Sequence, residues 1–321
     1  MPIVPSNFHP PRHLRGGHVQ TILSVLQPRR VNLSFERERL ELADGDFLDL
    51  DWARRGRRRL AILSHGLEEC SKNDCIQGMA AALIEAGWDA LAWNFRGCGG
   101  APNRLLRFYH SGETGDLAAV IKRAAAAYPQ VALVGFSLGG NVTLKYLGEG
   151  QAHPAVVAGV GISVPVDLVA SSHALDTRWE NRIYLRRLLR RLVAKVRAKA
   201  RQFPQELEVT GARAIRSFLE FDNRFTAPLH GFRDATDYWT RSSARQFLPQ
   251  ITVPTLLLNA RNDPFLAPEC FPFEEADANS ALFLEAPESG GHVGFLDFVH
   301  GLQPWSERRA VEFLGLLPEM L

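Results

Sequence analysis

The feature that most constrains this chain is the run Val131-Ala-Leu-Val-Gly-Phe-Ser-Leu-Gly-Gly-Asn141. An apolar stretch of strand character passes directly into Gly135-Phe136-Ser137-Leu138-Gly139, and residues 141–147 can continue as a helix. A G-x-S-x-G set between strand and helix puts its serine on a sharp, strained turn that exposes the hydroxyl. Glycines two places before and after Ser137 relieve crowding where backbone segments approach. The helix N-terminus behind the serine favours negative charge developing there. Ser137 is therefore the candidate nucleophile, and the alternative is a Gly/Ser-rich turn that merely buries a serine.

Such a turn needs a sheet behind it, and the rest of the chain supplies one. Apolar runs at Leu60–Leu63, Ala90–Trp93, Val131–Val134, Val156–Ile162, Thr255–Leu258 and Leu282–Leu284 have strand character. Helical patterns such as Ile76–Ala86 and Glu113–Ala126 separate many of them. Strand and helix in alternation predict an α/β fold, a mostly parallel central sheet with helices on both faces. Ahead of it, residues 40–52 alternate apolar and polar about Asp44-Gly45, the signature of an antiparallel hairpin. From about Pro165 to Phe247 strand signals cease. Leu185, Leu188, Leu189, Leu192 and Val196 recur there at helical spacing, with Arg and Lys between them. Length alone suggests about two domains. The pattern predicts instead a core of residues 1–164 and 248–321, with 165–247 as a helical lid inserted over the C-terminal ends of the strands.

Where a nucleophile sits on a strand-to-helix turn of this kind, its partners follow along the chain as an acid and then a histidine. The acid belongs after a late strand, and Val253-Pro-Thr-Leu-Leu-Leu-Asn-Ala-Arg-Asn-Asp-Pro264 offers Asp263 there. Read alone, Asp-Pro is an ordinary solvated turn; its position makes Asp263 the candidate. After one more strand at Ala281–Ala286 comes Ser289-Gly-Gly-His292-Val-Gly-Phe295, whose glycines would let the loop carry His292 to Ser137. His300, the other late histidine, reads as structure beyond that loop. In this scheme His292 takes and returns the serine proton while Asp263 holds its tautomer. Two donors are needed for the tetrahedral oxygen. The Leu138 amide is one, and the Leu67 amide, in Ala61-Ile-Leu-Ser-His-Gly-Leu-Glu68, is the other. His65 precedes the serine, so it is expected to brace the loop rather than act as base. Phe136 and His110 are expected to line the substrate pocket.

Composition narrows the class further. With 37 basic and 35 acidic residues the net charge is +2, so no global field argues for nucleic acid. The basic residues Arg182, Arg186, Arg187, Arg190, Arg191, Lys195, Arg197 and Lys199 cluster in the expected lid. An amphipathic basic helix over 182–201 is suited to peripheral contact with an anionic membrane, and otherwise is a lid helix with a solvated face. Cys70, Cys75, Cys98 and Cys270 lack metal-site spacing and read as free thiols in a reducing, cytoplasmic setting. Neither a signal-peptide pattern nor an apolar run long enough to span a membrane is seen. No cofactor and no metal are implied, and oligomeric state is not readable.

Several stretches together resemble the YheT-like branch of the α/β hydrolases. They are His18-Val-Gln-Thr21, residues 44–52, His65-Gly-Leu-Glu68, Asn94-Phe-Arg-Gly-Cys-Gly-Gly100, Tyr109-His-Ser-Gly-Glu-Thr114, Gly135–Gly139, Asp263-Pro264 and Gly291-His292. They span nearly the whole chain, and the Asn-Phe-Arg-Gly and Tyr-His-Ser-Gly-Glu-Thr pieces are far more specific than G-x-S-x-G. The resemblance implies an α/β-hydrolase fold and Ser137, Asp263 and His292 as triad. It also implies kinship with membrane-associated lipases acting on acylglycerols and phospholipids. One departure is Glu69, where a small residue is expected. Arg96 and Glu113 are expected to pair as a structural ion pair. The expected activity is hydrolysis of short- to medium-chain carboxylic esters or lipid esters through an acyl-enzyme. Acyl transfer or amide cleavage by the same triad is one alternative, and a non-catalytic ligand-binding module on this fold is another.

Overall fold

A computed structural model describes residues 3–26, 31, 33–299 and 301–316; His300 lies outside them. Nine strands form one sheet: β1 (Ile3–Val4), β2 (Glu36–Glu41), β3 (Phe47–Ala53), β4 (Arg59–Ser64), β5 (Asp89–Asn94), β6 (Gln130–Phe136), β7 (Val156–Ile162), β8 (Thr255–Leu258) and β9 (Leu282–Glu285). Their order is β1-β9-β8-β7-β6-β4-β5-β3-β2. All neighbours run parallel except the β5–β3 and β3–β2 pairs. The antiparallel pair β2–β3 is the hairpin expected about Asp44-Gly45, where Gly45 takes a φ of +84°. β1, a two-residue strand on the opposite edge, left no periodic signal in the sequence.

The inner strands read as near-continuous apolar runs because both faces are covered. Alternate residues serve opposite layers. Leu60, Ile62, Leu91, Trp93, Val131 and Leu133 face one core. Ala61, Leu63, Ala90, Ala92, Ala132 and Val134 face the other. The helices covering these layers are α1 (Gly17–Leu26), α2 (Asp74–Glu85), α3 (Thr114–Ala125) and α4 (Leu138–Gly148), then α10 (Phe273–Ala278) and α11 (Trp305–Gly315). Between β7 and β8 the described residues contain no strand. They form α5 (Leu168–Thr177), α6 (Arg182–Gln202), α7 (Phe218–Phe221), a π-helical stretch at Asp222–Thr226, α8 (Ala227–Leu229) and α9 (Ala235–Ser242).

Local chemistry explains where these begin. The Asp167 and Asp234 side chains accept from Ala170 N–H and Asp237 N–H, capping α5 and α9. In α6, Leu185, Leu189, Leu192, Val193 and Val196 are buried along one stripe, while Arg182, Arg186, Arg187, Arg190 and Arg191 are exposed. The two lysines of this helix behave differently. Lys199 is buried and donates to the Asn103 and Leu105 carbonyls at 2.6 Å each, and Lys195 meets Glu68 at 3.3 Å. They tie α6 to the loops beside β4 and β5.

Candidate active site

Ser137 stands between β6 and α4, with a φ of +50° that side-chain-bearing residues rarely adopt. Such strain costs roughly 1–3 kcal/mol and persists only where the surroundings enforce it. Here they do. The Ser137 N–H donates to the Ile162 carbonyl of β7 at 2.9 Å, and Asn141 N–H returns to the Ser137 carbonyl at 3.0 Å. A Cβ on Gly135 would collide with the Gly139 carbonyl, and one on Gly139 with the Ser64 carbonyl. Both glycines of the motif are thus demanded by backbone approach.

His292 arrives from the loop after β9. Its Nε2 lies 3.0 Å from Ser137 Oγ and its Nδ1 2.8 Å from Asp263 Oδ2. An ionised carboxylate only accepts, so Nδ1 carries the proton and Nε2 faces the serine hydroxyl as acceptor. Asp263 is 4% exposed, and its other oxygen accepts from Phe265 N–H at 2.8 Å. The Phe265 ring stacks on His292 with centroids 4.1 Å apart. Hydroxyl, imidazole and carboxylate in series can perform nucleophilic acyl transfer.

The histidine loop is held by residues that sequence reasoning missed. Thr21 Oγ1 accepts from His292 N–H at 2.8 Å while donating to Gly17 O at 2.8 Å. Gln20 brackets Leu296, accepting its N–H at 2.7 Å and donating to its carbonyl at 2.9 Å. Ser163 Oγ accepts from Val293 N–H at 2.9 Å. Positive φ recurs at Gly291, Val293 and Phe295, so the loop is tightly wound rather than slack. The signal for Gln20 and Thr21 lay in His18-Val-Gln-Thr21, which carried resemblance without an assigned role.

On the other side of Ser137 runs the loop after β4. A Cβ on Gly66 would sit 3.7 Å from Ser137 Cβ, which places this loop against the nucleophile. Leu67 follows, and among the described residues its amide has no backbone partner. Leu138 heads α4, where the first amides have no carbonyl one turn back. Both therefore border the serine with donors to spare.

His65 is fully buried and braces the loop, as expected. Its Nε2 accepts from Phe95 N–H at 3.2 Å, which leaves Nδ1 to donate to Gly66 O at 2.8 Å. Burial pushes its pKa down to about 4, so it stays neutral. Tyr109 fixes the next residue, accepting from Glu68 N–H and donating to Glu68 Oε1 at 2.8 Å each. Glu69, the departure from the family pattern, turns its carboxyl back to accept from Gly66 N–H at 3.3 Å. Burial raises the pKa of Glu69.

Ser137 and His292 open into a cavity of about 640 Å³. Phe136 and His110, both expected in the pocket, line it with Phe108, Leu168, Leu188 and Phe218. Burial drives the His110 pKa down to about 3, and its Nδ1 accepts from Gly112 N–H at 3.1 Å. The expected ion pair between Arg96 and Glu113 does not form. Arg96 turns toward the hairpin and the first turn of α3, meeting Asp44 at 2.7 Å, Asp46 at 3.1 Å and Asp116 at 2.6 Å. Glu113 instead pairs with Arg107 at 3.0 Å. Three carboxylates converge on one buried guanidinium, a fuller match for its fork of donors than a single glutamate.

A family model for the alpha/beta hydrolase fold matches residues 62–299. YheT of Escherichia coli (strain K12), provisionally named an esterase, is 35% identical over 319 residues, covering 96% of this chain and 93% of its own. The mouse phospholipase ABHD3 is 28% identical over 307 residues, covering 92% of this chain and 75% of its own. Among solved structures, an esterase from Pyrococcus furiosus superposes with a TM-score of 0.59 at 18% identity, covering 90% of this chain and 93% of that one. The chain belongs to the α/β-hydrolase family, in the branch that contains YheT.

Proposed function

We propose that this hydrolase cleaves carboxylic esters through an acyl-enzyme on Ser137. The observation that carries the reading is the unbroken series from Ser137 Oγ through His292 to Asp263, at 3.0 and 2.8 Å. As the Ser137 oxygen attacks the ester carbonyl, His292 Nε2 takes its proton. Asp263 steadies the imidazolium without itself becoming protonated. The carbonyl oxygen becomes an oxyanion between the Leu67 and Leu138 amides. Collapse expels the alcohol, which leaves with the proton from His292. Water then repeats the sequence with the same base and releases the acid. The two relatives named as an esterase and a phospholipase point to esters rather than amides. A mostly apolar cavity of this volume suits an acyl chain.

Residues 165–247 act in this reading as a lid, since α5, α6, α7 and α9 all contribute cavity wall. The outer face of that lid is suited to an anionic lipid surface. In its first half α6 exposes Arg182, Arg186, Arg187, Arg190 and Arg191 beside exposed Trp179 and Ile183, and the helix carries no acidic residue. Exposed Ile22, Val25 and Leu26 of α1 border the same cavity mouth. Charge and apolar surface so combined favour a headgroup boundary over a nucleic acid. No helix among the described residues is long and apolar enough to cross a membrane. The four unpaired cysteines favour a reducing compartment such as the cytoplasm.

Turnover of p-nitrophenyl esters of increasing acyl length, beside the matching anilides and with an added alcohol acceptor, tests the activity. Hydrolysis of the esters with a maximum at short to medium chains is expected. Faster anilide cleavage, or predominant transfer to the alcohol, would replace this reading with the amidase or acyltransferase one.

A further inference from the structure

The buried wall of the cavity carries a carboxyl group that ester hydrolysis leaves unused. Asp222 opens the π-helical stretch between α7 and α8, a local deviation from α-helix that recurs at functional sites. It lines the cavity and is 7% exposed, whereas Ile22, Val25, Leu26 and Ile183 at the mouth are 44–75% exposed. Oδ1 accepts from Thr226 Oγ1 at 2.6 Å and Oδ2 from Trp239 Nε1 at 2.7 Å. These two bonds fix the carboxyl plane yet leave about half of its acceptor positions open. Among the described residues no Lys, Arg or His pairs with it. The charged neighbour that acts on it is a second acid, Asp176 of α5, whose own oxygens accept from the Phe218 and Leu219 amides at 2.7 and 3.1 Å. The remaining polar group nearby, the Tyr238 hydroxyl of α9, is engaged with Ser111 at 2.7 Å.

A buried carboxylate without a cation is costly unless something completes it. The cavity is the open side. Phe218, Tyr238 and Trp239 also line it, and aromatic faces together with a carboxylate favour a positively charged or hydrogen-bond-donating group. We infer that Asp222 is a specificity-determining residue that receives an O–H or N–H donor, a hydroxyl or an ammonium, carried by the substrate on the arm that enters the buried part of the cavity. The word substrate rests on the ester-hydrolase reading, but the interaction is measurable without turnover. Burial pushes the Asp222 pKa up to about 7, so a cationic arm would draw it into its ionised form near neutrality.

The test is titration calorimetry of the full chain with n-hexylammonium, n-hexanol and methyl hexyl ether, which share an apolar chain and differ in donor capacity. Wild type, Ser137→Ala, Asp222→Asn and Asp222→Leu are compared. Wild type and Ser137→Ala are expected to bind both donor ligands about tenfold or more tightly than the ether. Asp222→Asn is expected to lose about tenfold of the ammonium preference, and Asp222→Leu both preferences. Equal binding of the three ligands to wild type, or a donor preference that survives in Asp222→Leu, would overturn the inference and leave Asp222 a strut between the π-helical stretch and α9. If the variants do not fold, wild type alone decides. Its ammonium preference should rise by up to about tenfold between pH of about 6 and about 8, as Asp222 ionises beside Asp176 and Tyr238. A flat ratio would sink the idea. None of the three ligands carries an ester, so this outcome is read without turnover, and a failure of the hydrolase reading would show separately in the ester assay.

Discussion

Ser137 is held in a conformation that few residues tolerate, and every neighbour that enforces it is backbone. The Gly135 and Gly139 positions therefore leave no room for adjustment. Gly139→Ala is expected to abolish activity and lower the denaturant midpoint, because the added methyl meets the Ser64 and His65 carbonyls, which cannot rotate away. Activity and unfolding curves on the same preparation check it. His292→Ala should lower kcat on a soluble ester by roughly 10³-fold or more with folding unchanged. Thr21→Val is subtler. It removes the acceptor for His292 N–H while keeping the shape, so kcat should fall about tenfold with KM nearly constant. An unchanged kcat would show that the loop's own winding suffices. Ser137, Asp263 and His292 were legible in the sequence because each follows a recognisable strand at a fixed rank in the fold. Thr21, Tyr109 and Ser163 were not, because their partners lie 271, 41 and 130 residues away and no local pattern announces such pairings.

At the scale of elements, periodicity found the inner strands and α2, α3 and α6, where burial imposes a repeat of two or of 3.6 residues. It failed for β1, since two residues have no period, and for the destination of Arg96. That side chain closes a tertiary junction of the β2–β3 hairpin with α3, a pairing that no local pattern in the sequence announces. Arg96→Met should destabilise the protein by about 3–5 kcal/mol in chemical denaturation, because it strands the buried Asp116 carboxylate and takes the cation from Asp46. A loss below about 1 kcal/mol would mean that these carboxylates find protons or water instead. The basic pattern of α6 likewise hid different uses: Lys195 and Lys199 face inward to anchor the helix, Arg182, Arg186 and Arg190 stand exposed, and Arg187 and Arg191 border the cavity.

Over the whole molecule, a net charge of +2 conceals a strongly one-sided arrangement in which arginines without acidic neighbours on their helix flank the cavity mouth. Binding to phosphatidylglycerol-containing vesicles, absent with phosphatidylcholine alone, is expected and should weaken with salt. Arg186→Gln with Arg190→Gln should reduce that binding about 25-fold while sparing turnover of a water-soluble ester. Cosedimentation reads the first and a spectrophotometric assay the second; equal binding by wild type and the double variant would assign those arginines to ordinary solvation. Charge clustering was visible in the sequence, but its union with the apolar edge of α1 depended on folding across more than 150 residues. An activated Ser137 should react with a fluorophosphonate, and peptide mass spectrometry locates the adduct. A single adduct on Ser137 is expected, absent from Ser137→Ala and strongly slowed in His292→Ala. Folded wild-type protein that stays unlabelled, or an adduct on another residue, would contradict it.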